Sequence, residues 1–164
     1  MKNRTTQIQL SKPWNKSLVK SLNKGFGSID YVEHTQVTQK LIALIPDLDI
    51  EIGRYIHDTV EDVNGIRRRF VTGVEVKMSG TIDGHYIRRQ EVGMCDKPFF
   101  HADANKVHNN GQRAKEALSD AIKRCAMRLG VGIELYDTDN WLNKYLTNEY
   151  LESINQENTV TEEE

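Results

Sequence analysis

Residues 67–94, RRRFVTGVEVKMSGTIDGHYIRRQEVGM, hold two strand-like runs on either side of an Asp-Gly pair. In the first run Phe70, Val74, Val76 and Met78 recur at even spacing, while Glu75 and Lys77 take the opposite face. A period of two is what a strand with one buried face requires. Asp83-Gly84, inside SGTIDGH, is a strong hairpin signal. Arg67–Ser79 and His85–Met94 are therefore expected to be consecutive antiparallel strands.

The neighbouring segments extend this unit. Asp49–Asp58 reads as a preceding strand, with Ile50, Ile52 and Ile56 pointing inward. Before it, Thr35–Ile45 reads as a helix with Val37, Leu41, Leu44 and Ile45 on one face, ended by Pro46. After the hairpin, Cys95–Asn110 is a polar connection longer than most. A second helix is expected over Gly111–Leu129, burying Ala114, Ala117, Leu118, Ala121, Ile122, Cys125 and Leu129. Four of those seven are Ala or Cys, so the helix axis can lie close to a sheet. Gly130 is a natural left-handed stop, and Gly132 permits a further turn. The segment DNWLNKYLTNEYLESI reads as a last amphipathic helix carrying Trp141, Leu142, Tyr145, Leu146 and Tyr150. The expected class is α+β: a helix, a three-stranded antiparallel meander, a long helix packed on the sheet, and a C-terminal amphipathic helix.

A chain of 164 residues with 38% hydrophobic residues can fill one core. It has no apolar run long enough to span a bilayer and no signal-like N-terminal segment, so a cytoplasmic protein is expected. Cys95 and Cys125, the only cysteines, read as reduced small residues. The net charge of −2 conceals an asymmetry: five acids and no base lie from Glu152 onward, leaving +3 on residues 1–151. Lys12, Lys16, Lys20 and Lys24 recur at every fourth position before the GFGS loop. This is either a solvated arm or a basic arm leading to a glycine turn near a phosphate backbone. The expected organisation is a basic arm over 1–17, a main domain over 18–154 and an acidic disordered tail over 155–164.

Several constellations could carry chemistry. Lys123, Arg124 and Arg128 lie beside the small-residue stripe, as a phosphate-binding ridge or as a wet helix face. Asp120 precedes Arg124 by four residues, the spacing of a surface ion pair. Asp47, Glu75 and Lys77 imitate the Pro-Asp…Glu-x-Lys pattern of metal-dependent nucleases, the alternative function for this chain. Cys95, His101, Asp103 and His108 are metal-ligating types, but no tight pair anchors them. Neither a Walker loop nor a deaminase Pro-Cys-x-x-Cys is present. No catalytic residue, metal or cofactor is expected.

DAIKRCAMRLGVGIELY, residues 120–136, resembles the helix and glycine turn of the Rad52/22 family of single-strand annealing proteins, including its DdrA-like members. SIDYVEHTQVTQKLIALIPDLDIEI resembles that family's helix leading into the first strand, and RRQEVGMCD its third strand, ending in a Glu-x-Gly turn. The likeness covers Leu18–Tyr136. It is nearest to phage-encoded members, which share PW followed by basic residues, a glycine turn with DYV, and SDAIKRCAMRLG. The resemblance implies that Lys123 and Arg124 hold the sugar-phosphate backbone and that Tyr31 lines the same groove. Lys20 or Lys24 would supply a further basic residue. A family cation one turn after Lys123 falls here on Met127; Arg128 is adjacent but points about 100° away. The resemblance further implies an oligomeric ring or filament. It would bind single-stranded DNA and anneal complementary strands without ATP, in recombination and repair within a bacterial or phage-infected cell. It also implies a non-enzymatic protein, with the acidic tail able to meet a recombination or replication partner.

Overall fold

The computed structural model describes residues 4–23, 27–101, 106–136, 141–149 and 152. The chain divides into two compact units, one of Asp49–Ser79 and Arg88–Cys125, the other of Met1–Leu48, Gly80–Ile87 and Ala126–Glu164. The described strands are β1 (Lys20–Asn23), β2 (Ser28–Tyr31), β3 (Asp49–Glu61), β4 (Arg67–Ile82) and β5 (His85–Met94). The helices are α1 (Thr5–Ser11), α2 (His34–Leu44), α3 (Asn110–Met127) and a stretch over 141–149, here α4. No described helix is long and apolar enough to cross a membrane.

The meander and the long helix form the first unit. The sheet order is β3-β4-β5, with β3 antiparallel to β4. Phe70, Val74, Val76 and Met78 of β4 are buried as the alternation requires. α3 packs on this sheet through Ala117, Ala121, Ile122 and Cys125. The close approach depends on Gly93 of β5. A Cβ there would lie 2.7 Å from Ala121 Cα and closer still to Ala117 O and Ala121 N, all backbone atoms. The Glu-x-Gly motif is thus no turn: β5 runs on to Met94, and Gly93 is the flat spot on which the helix lies.

Two details of this unit differ from the sequence reading. Ile52 is opposite Val76 but 49% exposed, because β3 is an edge strand and α3 lies over β4 and β5. Bulges between Ile52 and Tyr55 and between Ile56 and His57 shift the register, so Ile56 comes to face Gly73. A bulge adds one residue to one strand and so exchanges the faces beyond it. On α3, Ala114 and Leu118 are only half-buried, while Arg113 is 1% exposed. Arg113 Nε donates to Val71 O, Nη1 donates to Lys97 O and Pro98 O, and the guanidinium lies 4.7 Å from the Phe99 ring. Asn110 adds a bond from Val71 N to its Oδ1 and one from its Nδ2 to Arg69 O. Side chains of the first helical turn thus satisfy β4 just past the point where β5 ends. A buried arginine stapling a loop has no signature in apolar periodicity.

In the other unit α1 packs on α2, and Leu10, Val37, Leu41 and Ile45 are buried. The N-terminal segment, whose lysine spacing suggested an arm, contains α1 and leads into the β1–β2 ribbon. α1 is too short to hold itself. Its first amides are capped from afar: Thr6 N and Gln7 N donate to the two carboxylate oxygens of Asp83, at 2.8 and 3.0 Å. Asp83 and Gly84 have φ of 49° and 78°, the paired positive values of a tight hairpin turn. One residue therefore shapes the β4–β5 turn and caps α1. The chain leaves α3 through Gly130, φ 98°, with Gly130 N donating to Met127 O and Val131 N to Ala126 O. That pair of bonds is the Schellman ending. α4 buries Leu146, and Asn143 Nδ2 donates to Ile8 O and Ser11 Oγ. Trp141 and Tyr145 stack on each other and remain exposed; Tyr150 lies outside the described residues.

Candidate nucleic-acid interface

α3 carries Lys123 and Arg124 about 100° apart around its axis. Lys123 is opposite the buried stripe of Ala121, Ile122 and Cys125, and Arg124 is at its edge, seven residues on from the buried Ala117. Lys123 is half-buried and makes no ion pair among the described residues. Arg124 is exposed, and its Nε donates to Asp120 Oδ2 at 2.7 Å. The same oxygen accepts from Met94 N at 3.0 Å, so this carboxylate also ties α3 to the end of β5. Beyond the Arg113 and Asn110 bonds at its start, three contacts fix the helix against its sheet: the Gly93 approach, the Asp120–Met94 bond, and a long Cys125 Sγ contact to Val76 O. Burial pushes the Cys125 thiol up to about 11, so it stays a neutral core group. Arg128 is exposed in the turn just past the helix end.

Lys20 and Tyr31 are direct partners across the β1–β2 ribbon. The register Lys20↔Tyr31 and Leu22↔Ile29 puts all four on one ribbon face, and Leu22 and Ile29 are about half exposed. Lys20 Nζ is bonded to Glu33 Oε1, which holds the lysine above its ordinary value and the Glu33 carboxyl below its own. Lys24 lies outside the described residues. Alternation on either side of the glycine turn, KSLN and SIDY, was the signal for this ribbon. It is only four residues long on each side, which is why the basic spacing masked it.

The nuclease-like residues have structural partners. Asp47 accepts from Thr81 N and Oγ1 at 2.8 and 2.7 Å, and these bonds hold its carboxyl below the usual range. Glu75 pairs with Arg54 across β4 and β3, and Lys77 with Glu51. In the 95–110 connection Cys95 Sγ contacts Glu116 and the rings of His101 and His108 stack at 3.8 Å. Asp103 lies outside the described residues.

A small-residue helix pressed onto an antiparallel meander, with helices flanking it in sequence, defines an α+β protein. A profile of the Rad52/22 family of double-strand break repair proteins matches residues 2–153, and the chain belongs to that family. The match begins inside the segment read as a basic arm, in keeping with the buried Leu10 of α1. No curated protein is matched by this chain. Membership places the chain among proteins of DNA repair and recombination.

Proposed function

We propose that this protein binds single-stranded DNA by its phosphates and anneals complementary strands without ATP, as an oligomeric ring or open filament. The observation that carries this reading is the sheet-backed α3 with Lys123 and Arg124 consecutive in it and both outside its buried stripe. Phosphate contacts are indifferent to sequence, so any strand is held. Strands held that way keep base edges available, and pairing itself supplies the free energy of annealing. A charge of +3 on residues 1–151 is modest for a polyanion binder, and a ring answers this by aligning the cations of many copies along one rim. Tyr31, with Lys20 beside it and Lys24 near the turn, is read as a second contact; Arg128 is read as peripheral. The pairing of Asp47, Glu75 and Lys77 within the fold supports a binding protein over a nuclease. The wording of SDAIKRCAMRLG resembles DdrA-like and phage-encoded members of the family, which favours work in a bacterial or phage-infected cell. The acidic tail is read as a partner-binding segment.

The test is the double substitution Lys123→Ala, Arg124→Ala. Neither side chain is in the buried stripe and alanine favours helix, so the fold is retained. Affinity for unrelated single strands should fall alike, and the slope of log affinity against log salt should become shallower by roughly one per lost phosphate contact. Annealing should fall with it. A folded double variant that binds and anneals like wild type would sink the reading.

A further inference from the structure

We propose that Asp120 is a positioning residue for strand binding: anchored on the Met94 amide, it holds the base of the Arg124 guanidinium and sets the direction in which that group meets a phosphate. The proposal rests on the reading of Arg124 as a phosphate ligand. An isolated Asp–Arg pair one helical turn apart is weak and wanders among rotamers. Asp120 is different, because its Oδ2 accepts both Arg124 Nε at 2.7 Å and Met94 N at 3.0 Å. Met94 follows Gly93, the residue pinned beneath α3, so the second donor is part of the rigid sheet. The carboxylate is thereby fixed at one end and grips the arginine at the other. Its side chain is 30% exposed and that of Arg124 48%, so the bond lies at the edge of solvent and not within the core.

Direction matters for arginine more than for lysine. A guanidinium meets a phosphate in its own plane, often through two parallel hydrogen bonds, whereas an ammonium acts as a compact point charge. Gripping Nε fixes the plane at its root. Lys123, which has no such brace, needs none. The two adjacent cations then divide the work: Lys123 supplies charge, and Arg124 supplies charge with a fixed orientation. A plain surface ion pair would instead make Asp120 a rival of the phosphate, and its removal would tighten binding.

The sign of that effect is the test. Asp120→Asn keeps an oxygen to accept from Met94 N and removes the charged grip on Arg124. Binding of a fluorescent oligo-dT would be measured across a salt series for wild type, Asp120→Asn, Arg124→Ala and the double variant. Asp120→Asn is expected to weaken binding roughly three- to tenfold, with a shallower salt slope, and to cause no weakening once Arg124 is alanine. Arg124→Lys, which keeps the charge and loses the fork, is expected to fall about as far as Asp120→Asn. Tighter or unchanged binding by Asp120→Asn, equal weakening in the Arg124→Ala background, or wild-type binding by Arg124→Lys would each overturn the proposal. Wild-type binding by Arg124→Ala would overturn the underlying reading instead, which separates the two failures.

Discussion

Replacing Gly93 with alanine should damage this protein more than one methyl group suggests. The added Cβ would sit 2.7 Å from Ala121 Cα and closer to Ala117 O and Ala121 N. Ordinary contact at such a position begins near 3.4 Å. All three obstructing atoms are helix backbone, so no side-chain rotation relieves the overlap. α3 must retreat by roughly 1 Å, and a gap of that size forfeits a quarter to a half of the dispersion energy along the opened contact. Overpacking usually costs about 1–3 kcal/mol, and the rigid obstruction places this case at or above the top of that range. For a chain of this size each kcal/mol lowers the melting temperature by roughly 2–4 °C, so a fall of about 6–12 °C is expected. Thermal unfolding followed by circular dichroism measures it. The same substitution at Gly111, exposed in the first turn of α3, is the control. There the added Cβ would meet one side-chain atom, Asn109 Oδ1 at 3.0 Å, which must give by a few tenths of an ångström; a helix-propensity gain of up to about 1 kcal/mol offsets this, so the melting temperature should change little. A Gly93→Ala protein melting within about 2 °C of wild type would refute the close-approach argument.

Thr72 Oγ1 is buried in the sheet with no hydrogen-bond partner among the described residues, so Thr72→Val should be neutral or raise stability by about 1 kcal/mol in the same melting assay. A clear loss would show that the hydroxyl is satisfied in solution. Asp83→Gly should keep the β4–β5 turn but leave the Thr6 and Gln7 amides without their acceptor, costing about 1 kcal/mol by denaturant titration. Asp83→Asn, which keeps one acceptor and tolerates the same backbone, should cost less. Asp47, Glu51 and Asp62 are each held below the usual carboxylate range, by Thr81, Lys77 and Arg68 respectively. The folded chain therefore prefers their ionised forms. Their contribution is complete above about pH 5 and fades as the pH falls through and below about 4. An Asp62→Asn variant should show a flatter acid limb in urea unfolding midpoints, and an unchanged limb would rule Asp62 out as a contributor.

The meander was legible because its signals are local. The even spacing of Phe70, Val74, Val76 and Met78 and the Asp83-Gly84 turn need no knowledge of distant residues. The small residues of α3 were equally plain and correctly implied a close helix. Their counterpart, Gly93, was visible in EVGM but read as a turn, since a glycine near a strand end carries the same letter whether it bends the chain or admits a helix. Ile52 misled for a related reason: alternation says which way a side chain points, not whether anything covers that part of the sheet. The N-terminal segment was opaque because its stability is borrowed. α1 has no cap of its own and takes one from Asp83, which is 76 and 77 residues away in sequence.

The candidate site divides along the same line. Lys123 and Arg124 could be named from the sequence because adjacency on a helix is a sequence property. Asp120 could be named only as the Arg124 partner four residues away, the spacing of an ordinary surface pair. The bond from Met94 N to the same carboxylate oxygen spans 26 residues and belongs to the packing of α3 on β5. That packing in turn depends on Gly93 having no side chain. A single chain of cause thus runs from a missing methyl group, through the helix it lets approach and the carboxylate it brings to a strand end, to the aim of one guanidinium. If that chain holds, Gly93→Ala should weaken single-strand binding as well as stability. The shortfall should persist at temperatures where the variant is fully folded, because the damage lies in the position of Asp120 and not only in the population of folded protein. A folded Gly93→Ala protein with wild-type affinity and salt slope would show that the cations bind without help from the sheet beneath them.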